Sequence, residues 1–466
     1  MGTKGNFSPG NTQTIDLKVE GGVSPKKFDP FDSRIVKNPT TNFDTLVHLL
    51  KAVFGTGILS MPFAFRQSGI LLGGLTAIII GIISTHCAYI LVKCAHILYY
   101  KVEKTTMSFP EVAEQALSIG PKPLQKYSKI GRYIVEITLF VAYFGTCSVF
   151  AVVAAKNYRS VVNWYFYNTE STNIEDGFSL RLMIICLLIP LVMLSWIPDL
   201  KNLVPISMIA NISMITSVVI IFYWIFCHFA SGTYDSSKFV YYPSTFQEFI
   251  DKFPKCFSII IFAMESIGVI MPIENKMKTP KKFIGTFGVL NLGMTGITVM
   301  YVVIGVVGYM NNPNSTEDMI VLEISSKEPI SHVLKILVGT SVICTCRLLF
   351  SVCLEIAENW MENFQAKKST LIDYTLRTMM MTTCVLLAVA VPAISPFMSL
   401  IGAFCFSIQG FILPVILETI TVWNFGFGFC KWIAIKNIII VVVAIFAIFY
   451  GSADAIPGIK KAIFEN

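Results

Sequence analysis

The chain has few charged residues and lacks the spacings on which common enzyme and metal sites depend. Only 14% of its 466 residues are Asp, Glu, Lys or Arg, whereas soluble globular proteins carry about 25%. No H-E-x-x-H, G-x-S-x-G, P-loop or dinucleotide fingerprint stands in a supporting context. No CxxC pair occurs, and Cys344 and Cys346 on a predicted helix are interpreted as core residues. We therefore expect no enzyme activity, no metal and no cofactor.

The sequence also lacks a secretory signal and a disulfide framework. Its N-terminus has no apolar region of the kind found in cleavable signal peptides. The 12 cysteines fall mostly inside apolar segments, and the polar loops 168–180, 231–253 and 311–330 contain none. A net charge of +7 could suggest nucleic-acid binding. The basic residues collect on one side of the apolar segments, however, so no nucleic-acid partner is expected.

Long apolar runs dominate the rest of the chain. Hydrophobic residues make up 54% of it, and a membrane-spanning helix needs roughly 20 such residues in succession. Eleven runs meet this length, which predicts an all-α polytopic membrane protein with about 11 transmembrane helices. The predicted spans are 45–66, 70–100, 131–160, 181–198, 204–230, 255–274, 283–309, 331–360, 374–392, 397–420 and 433–452.

Basic residues predict the orientation in the membrane. Loops on the side of the N-terminus carry roughly twice as many Lys and Arg residues as those on the other side, and the basic side is usually cytoplasmic. We therefore expect a cytoplasmic N-terminus and, with an odd number of spans, an external C-terminus. Asn314 begins an Asn-Ser-Thr sequence in a predicted outer loop and is a candidate glycosylation site.

The spans divide the chain into two halves of five and one further helix. The polar N-terminal segment has the composition of a disordered tail. The predicted domains are a disordered cytoplasmic tail (1–43), a ten-helix core (44–420) with repeats 44–230 and 254–420, an eleventh span (433–452) and a non-cytoplasmic C-terminal tail (453–466).

The first span carries Gly55-Thr56-Gly57 at its centre. Unpaired backbone groups cost several kcal/mol in hydrocarbon, so irregular backbone at that depth must face protein or a water-filled cavity. Broken helices near the midplane commonly form the binding sites of transporters. The alternative is that the two glycines only allow close helix packing.

The sixth span has a matching feature. Glu265, Ser266 and Gly268 lie at its middle, with Pro272 one turn later. Interrupted segments at corresponding places in two halves point to a transporter site at their crossing. The sequence thus predicts two halves of five spans each, with broken helices 1 and 6.

The two breaks together offer groups for both ends of an amino acid. Backbone N–H groups at the start of a half-helix attract a carboxylate. Carbonyls freed before the first break, with those near the second, suit an ammonium group. The predicted substrate-binding residues are Gly55, Thr56, Gly57, Ile58, Phe262, Glu265, Ser266, Ile267 and Gly268.

Two residues are candidates for proton coupling. His48 lies two helical turns before Gly55, roughly 10 Å along the helix and on nearly the same face, and histidine exchanges protons near neutral pH. An interfacial structural role is its alternative. Glu265 is an acid deep in a span, where charge is costly and often functional. It could carry a proton, neutralise a cation or cap the broken helix.

These segments resemble the proton-coupled amino acid transporters, solute carrier family 36 of the amino acid/auxin permease group, and look most like the insect members. The resemblance lies in His48–Pro62 of the first span, Gly81–His96 of the second, Phe262–Phe283 of the sixth and Gly305–Tyr309 of the seventh. It covers spans one to seven well and the remainder loosely.

The resemblance implies secondary active transport of small neutral amino acids, coupled to protons, by alternating access around a midplane site. It implies a LeuT/APC-like fold with a five-plus-five inverted repeat, and His48 as the proton-linked histidine. It also implies a location in the plasma membrane or the lysosomal or late endosomal membrane. Two alternatives stay open: a sodium-coupled amino acid transporter, and an amino acid sensor with little flux that signals through a partner at its N-terminal tail.

Overall fold

The computed structural model describes residues 28–36, 39–167, 177–197, 204–232, 239–362, 370–423, 426–428 and 431–464. Within these ranges the regular structure is helical, apart from an isolated bridge between Thr40 and Met277. The spans are Asn42–Val53, Thr56–Ser60 and Met61–Ser68 (span 1), Ile70–Val102 (span 2), Ser128–Tyr167 (span 3), Leu180–Cys186 and Leu188–Ser195 (span 4), Val204–Ala230 (span 5), Phe246–Ala263 and Ile267–Asn275 (span 6), Val289–Asn311 (span 7), Pro329–Glu362 (span 8), Thr370–Ala390 (span 9), Ile394–Val422 (span 10) and Trp432–Phe464 (span 11).

Short helices occupy some of the connections between spans. They are Phe109–Ile119, Lys122–Gln125, the 3-10 turn Pro280–Lys282 and Ile320–Glu323. Ser108 opens the first of them with a capping box to Glu111, an arrangement that satisfies two otherwise unpaired N–H groups.

The helix lengths confirm an all-α polytopic membrane protein. In the part of the chain that the structure describes, nine helices are long and apolar enough to cross a membrane, and span 1, bent by 49° at its break, makes a tenth. The shorter apolar helix Leu180–Ser195 lies at the position of the predicted fourth span. We call the end of the bundle where span 1 begins the N-terminal face, and the other end the opposite face.

Several predicted boundaries differ from the structure. Span 6 begins at Phe246 rather than at 255, because Thr245 caps a helical turn that precedes the apolar run. Helix also continues through the predicted C-terminal tail as far as Phe464. Ala455 and Ala462, seven residues apart, are buried there, so one face of this helix packs against the bundle.

The N-terminal tail is the clearest difference from the prediction. Residues 28–36 and 39–43 lie within the segment predicted as disordered (1–43), yet the structure places them against the ends of spans 2 and 6. Thr41 caps span 1 in a capping box with Asp44, so the helix begins at Asn42. The remainder of that segment lies outside the described residues.

Spans 1 and 6 lie together at the centre of the bundle. The second half of span 1 packs against spans 6 and 7, and the first half packs against span 7 and the end of span 6. Span 10 contains two π-helical stretches, Ile401–Phe406 and Ile408–Ile412, and the first packs against span 6. π-helical turns widen a helix locally and are frequent at functional sites.

Candidate functional site

Span 1 is interrupted where the sequence predicts it. The α-helix ends at Val53, and a 3-10 helix begins at Thr56. Gly55 between them is extended, with φ −110° and ψ −160°. Its N–H donates to the Val53 carbonyl oxygen over 2.7 Å, and the Tyr301 hydroxyl donates to the same oxygen over 2.8 Å. The carbonyl freed by the break therefore has two donors within the protein.

Span 6 is interrupted at the matching position. Its first helix ends at Ala263 and its second begins at Ile267. The Ile267 N–H donates to Glu265 Oε1 over 2.8 Å. Three roles were left open for Glu265, and this hydrogen bond supports one of them, capping of the broken helix.

The two breaks contact each other. A Cβ atom placed on Gly57 would lie 2.5 Å from Ala263 Cα and 2.7 Å from Ala263 Cβ. The optimal distance between two non-bonded carbon atoms is about 3.5–4.0 Å, so both distances are too short. Gly57 is therefore required for the 3-10 helix to approach the end of the first helix of span 6 so closely.

Several buried polar groups at this crossing have no hydrogen-bond partner among the described residues. In a 3-10 helix that starts at Thr56, the first N–H groups have no acceptor within the helix. The Thr56 hydroxyl is buried and makes no hydrogen bond with a described residue. On span 10, both polar atoms of the Gln409 side chain are buried without a partner among those residues. Gln409 precedes Gly410, whose Cβ position lies 3.1 Å from Glu265 Oε2.

Aromatic and aliphatic side chains surround these polar groups. Ile58 is buried, and Phe262 packs against Phe406 of span 10 with ring centroids 5.6 Å apart. Gly268 approaches the Tyr143 hydroxyl of span 3 so closely that a Cβ would lie 1.8 Å from it. The crossing is therefore a small, largely apolar site with a few polar groups, the usual character of small-molecule sites.

The predicted substrate-binding residues lie together at the crossing, but Gly55 and His48 differ from the prediction. The Gly55 N–H is already bonded to Val53, so it is not a free donor. His48 lies outside the crossing: it is exposed on the first helix of span 1, and the charged groups near it are Asp44, Lys51 and Lys276. The imidazole thus lies toward the N-terminal face of the bundle, near the end of span 6.

Sequence reasoning missed three residues of the site. Tyr143, Tyr301 and Gln409 come from spans 3, 7 and 10 and contact the breaks through tertiary packing. Gln409 had a signal in the sequence, since an amide within an apolar run is uncommon. The two tyrosines had none, because tyrosine is also ordinary core and interfacial material.

A strap formed by residues 28–36 covers the N-terminal face beside the crossing. Arg34 is nearly fully buried and its Nη2 lies 3.2 Å from Glu274 Oε1, in a carboxylate that is itself 0% exposed. The Arg34 Nε also donates to the Thr105 carbonyl over 2.8 Å. The Tyr99 hydroxyl donates to Glu274 Oε2 over 3.1 Å, and His96 Nε2 lies 2.9 Å from Glu274 Oε1.

Further contacts attach the strap, and Thr40 shortly after it, to the ends of spans 2 and 6. Phe31 packs edge-on against His96 at a centroid distance of 4.9 Å. The Thr40 N–H donates to the Lys276 carbonyl, and the Lys278 N–H donates to the Thr40 carbonyl, each over 2.9 Å. Removing one partner of a buried ion pair costs about 3–5 kcal/mol, so loss of Arg34 is expected to destabilise this arrangement.

The opposite face is closed by the connection between spans 7 and 8. Helix Ile320–Glu323 contacts the 3-10 helix of the first break. Arg66, near the end of span 1, lies 2.5 Å from Glu323 Oε1 and donates to the carbonyls of Asn312 and Glu317. These contacts hold the end of span 1 to the connection between spans 7 and 8.

Two surface pockets lie away from the crossing. One, of about 520 Å³, is lined by Asn42, Leu46 and residues of the connection between spans 6 and 7. The other, of about 500 Å³, lies between span 2 and Tyr242–Phe249. Neither is lined by a residue of the breaks.

Comparison with known families decides what kind of protein has this arrangement. The family model described as "Transmembrane amino acid transporter protein" matches residues 38–457. The chain belongs to this transmembrane amino acid transporter family. It is accordingly a multi-pass integral membrane protein, and its family consists of transporters rather than enzymes.

Curated relatives agree with the family model over nearly their whole length. The chain is 43% identical over 448 residues to the Drosophila melanogaster "Proton-coupled amino acid transporter-like protein pathetic", covering 96% of this chain and 91% of the relative. It is 25% identical over 441 residues to "Amino acid transporter ANT1" of Arabidopsis thaliana, covering 90% and 93%. The first of these confirms the resemblance to proton-coupled transporters found in the sequence.

Solved structures show more distant similarity to this transporter. The structure of MhsT in complex with L-phenylalanine aligns with a TM-score of 0.48 and 13% identity, over 90% of this chain and 98% of the other. A Na⁺-coupled sialic acid symporter aligns with a TM-score of 0.42 and 11% identity, over 89% and 98%.

Proposed function

We propose that this transporter moves small neutral amino acids together with protons, by alternating access to the crossing of spans 1 and 6. The observation that carries the proposal is the contact between Gly57 and Ala263. It puts the start of the 3-10 helix beside the end of the first helix of span 6, where a small dipolar solute can be held between helix ends of opposite polarity.

The charge distribution at the crossing suits a zwitterion. The N–H groups that open the 3-10 helix, with the Thr56 hydroxyl, bind the carboxylate. The Glu265 carboxylate and neighbouring carbonyls bind the ammonium group. The close packing of Ile58 and Phe262 restricts the size of the side chain, which favours small substrates.

Proton coupling is assigned to two residues at different depths. Glu265 lies at the crossing, where its charge interacts with the substrate. His48 lies toward the N-terminal face, near Asp44 and Lys276, where it exchanges protons with water. A Drosophila relative named as proton-coupled, 43% identical to this chain, supports this choice over sodium.

Closure of both faces suggests an occluded state. The strap with Arg34 closes the N-terminal face, which we assign to the cytoplasm from its excess of basic residues. The Arg66–Glu323 pair closes the opposite, outer face. Substrate entry requires the outer contacts to open, and release into the cytoplasm requires the strap to leave.

One proton per amino acid supplies enough energy for accumulation. A membrane potential contributes about 2.3 kcal/mol per charge per 100 mV, and a pH gradient about 1.4 kcal/mol per unit. Together these support an accumulation of roughly several hundredfold.

The test is uptake of a panel of labelled amino acids into proteoliposomes. An imposed acid-outside gradient is expected to drive uptake of small neutral amino acids, and a protonophore is expected to abolish the accumulation. Accumulation that needs a sodium gradient instead would favour sodium coupling. Amino-acid binding that raises thermal stability, with no flux under any gradient, would favour a sensor.

A further inference from the structure

One of the two surface pockets lies at the N-terminal face, between the starts of spans 1 and 7. Its wall is formed by the first turns of these two spans and by the connection between spans 6 and 7, and we call it the interfacial pocket. Its volume is about 520 Å³, within the range of roughly 300–1,000 Å³ that small-molecule sites have. Because it lies where two membrane-crossing helices begin, it is at the boundary between hydrocarbon and headgroups.

The apolar part of the interfacial pocket is exposed. Phe43 comes from the first turn of span 1, and Leu292 comes from the first turn of span 7. Both side chains are exposed, and Phe287 in the connection is 96% exposed. Exposed apolar patches of this kind mark surfaces that contact a membrane or a partner. At the edge of the bilayer, these side chains are placed to contact an acyl chain.

The charged side chains that line the interfacial pocket are both basic. They are Lys281 and Lys282, in and beside the 3-10 turn that follows span 6. Lys281 Nζ lies 3.2 Å from Asp29 Oδ2 of the strap, but this pair is exposed, and exposed pairs contribute little to stability. Among the described residues, the Lys282 ammonium group has no ion-pair partner. Both lysines can therefore turn to an anion in the pocket at low cost.

The wall that carries the lysines is fixed by contacts within the protein. Phe283 follows Lys282 and is fully buried, and its carbonyl accepts a hydrogen bond from the Leu290 N–H over 3.1 Å. The Thr279 hydroxyl lies 2.7 Å from Asn42 Oδ1, which joins the connection to the start of span 1. The interfacial pocket is thus formed before a ligand arrives, and a preformed site loses less entropy on binding.

We propose that the interfacial pocket binds an anionic phospholipid, with its headgroup at Lys281 and Lys282 and an acyl chain along Phe43 and Leu292. Basic pockets between membrane helices at the cytoplasmic side are suited to anionic headgroups. The exposed apolar side chains favour a lipid over a soluble phosphate ester, because a soluble ester would leave them in water.

The proposal depends on only one part of the proposed function. It needs the N-terminal face to be cytoplasmic, because anionic lipids are concentrated in that leaflet. It does not depend on which solute is transported or on which ion drives transport. Binding measured in detergent, without any gradient, therefore succeeds or fails separately from the uptake assay.

The experiment measures phosphatidylserine binding to the purified full chain in detergent micelles by native mass spectrometry. Phosphatidylcholine with the same acyl chains is the neutral comparison. The wild type should bind phosphatidylserine more tightly than phosphatidylcholine. A lysine close to an anionic lipid contributes a factor of about five in affinity. Lys282→Gln should therefore weaken phosphatidylserine binding about fivefold and leave phosphatidylcholine binding largely unchanged.

Two control variants separate the interfacial pocket from the rest of the surface. Lys278→Gln removes an exposed lysine of the same connection that does not line the pocket, and it should bind phosphatidylserine as the wild type does. Phe287→Ala removes an exposed apolar side chain from the pocket and should weaken binding of both lipids. Val299→Ala removes an exposed apolar side chain of span 7 outside the pocket, and it should have no effect.

Three results would overturn the proposal. The first is a wild type that does not prefer phosphatidylserine to phosphatidylcholine. The second is an equal phosphatidylserine affinity in wild type and Lys282→Gln, or an equal loss in Lys278→Gln, which would show attraction to the basic face in general. The third is displacement of phosphatidylserine by an equal concentration of glycerophosphoserine, its headgroup without acyl chains, which would show a site for soluble anions.

Discussion

Replacement of Gly57 by alanine tests the contact between the two breaks. The added Cβ would lie 2.5 Å from Ala263 Cα and 2.7 Å from Ala263 Cβ. Both atoms belong to the backbone or are fixed to it, so no side-chain rotation can relieve the overlap. Restoring a normal carbon–carbon distance requires the breaks to separate by about 1 Å.

The expected cost of this separation is that of overpacking, about 1–3 kcal/mol. If the amino acid is held between the breaks, that cost appears in its binding and lowers affinity by about 5- to 150-fold. Gly55→Ala is the matched control. Its Cβ would have the Val53 carbonyl oxygen at 3.9 Å as its nearest neighbour, and its φ of −110° is ordinary for any residue.

The assay is binding of a labelled small amino acid to both purified variants, with thermal unfolding measured in parallel. We expect Gly57→Ala to lose affinity while Gly55→Ala stays close to wild type. Equal affinities for the two variants, with both folded, would refute the reasoning that the site lies where the breaks touch.

Four further changes have defined outcomes. Arg34→Ala removes one partner of a buried ion pair, a loss of about 3–5 kcal/mol, and should increase hydrogen exchange in residues 28–36; unchanged exchange would contradict the strap. Tyr301→Phe removes one of two donors to the Val53 carbonyl and should lower stability by about 0.5–1.5 kcal/mol, measured by thermal unfolding. His48→Ala should abolish the stimulation of uptake by external acid while leaving amino-acid binding within a few-fold, and retained stimulation would remove His48 from the mechanism. Asn314 is exposed, so Asn314→Gln should lower the apparent mass on gels of protein made in eukaryotic cells, to the mass reached by glycosidase treatment.

The breaks could be predicted because each violates a local rule. Two glycines around Thr56, and Glu265 near Gly268, are out of place in a lipid-exposed helix, and both lie where the structure interrupts the spans. Their contact was an inference from repeat architecture, and the structure shows it through Gly57. An interruption within an apolar span can therefore reveal this kind of site from a single sequence.

The strap could not be predicted by the same reasoning. Its segment has no hydrophobic periodicity, and Arg34 is 240 residues away from Glu274 in the sequence. Composition therefore indicated disorder, although a few specific contacts fix the residues. The same limit applies to Tyr143 and Tyr301, whose roles depend on partners from other spans.

Helix ends were also beyond the reach of hydropathy alone. Residues 246–254 are amphipathic rather than uniformly apolar, and the apolar run marks only the later part of the helix. The segment after residue 452 is similar, since Ala455 and Ala462 pack inward while Lys460 and Lys461 are exposed. A hydropathy window detects the hydrocarbon core and misses such extensions.

A cryo-EM map of the transporter with a saturating small neutral amino acid tests the central claim most directly. The account predicts density between Thr56–Ile58 and Glu265–Gly268, with the carboxylate at about 3 Å from the N–H groups that open the 3-10 helix. Density for the amino acid elsewhere in the bundle, with none between these two segments, would contradict it.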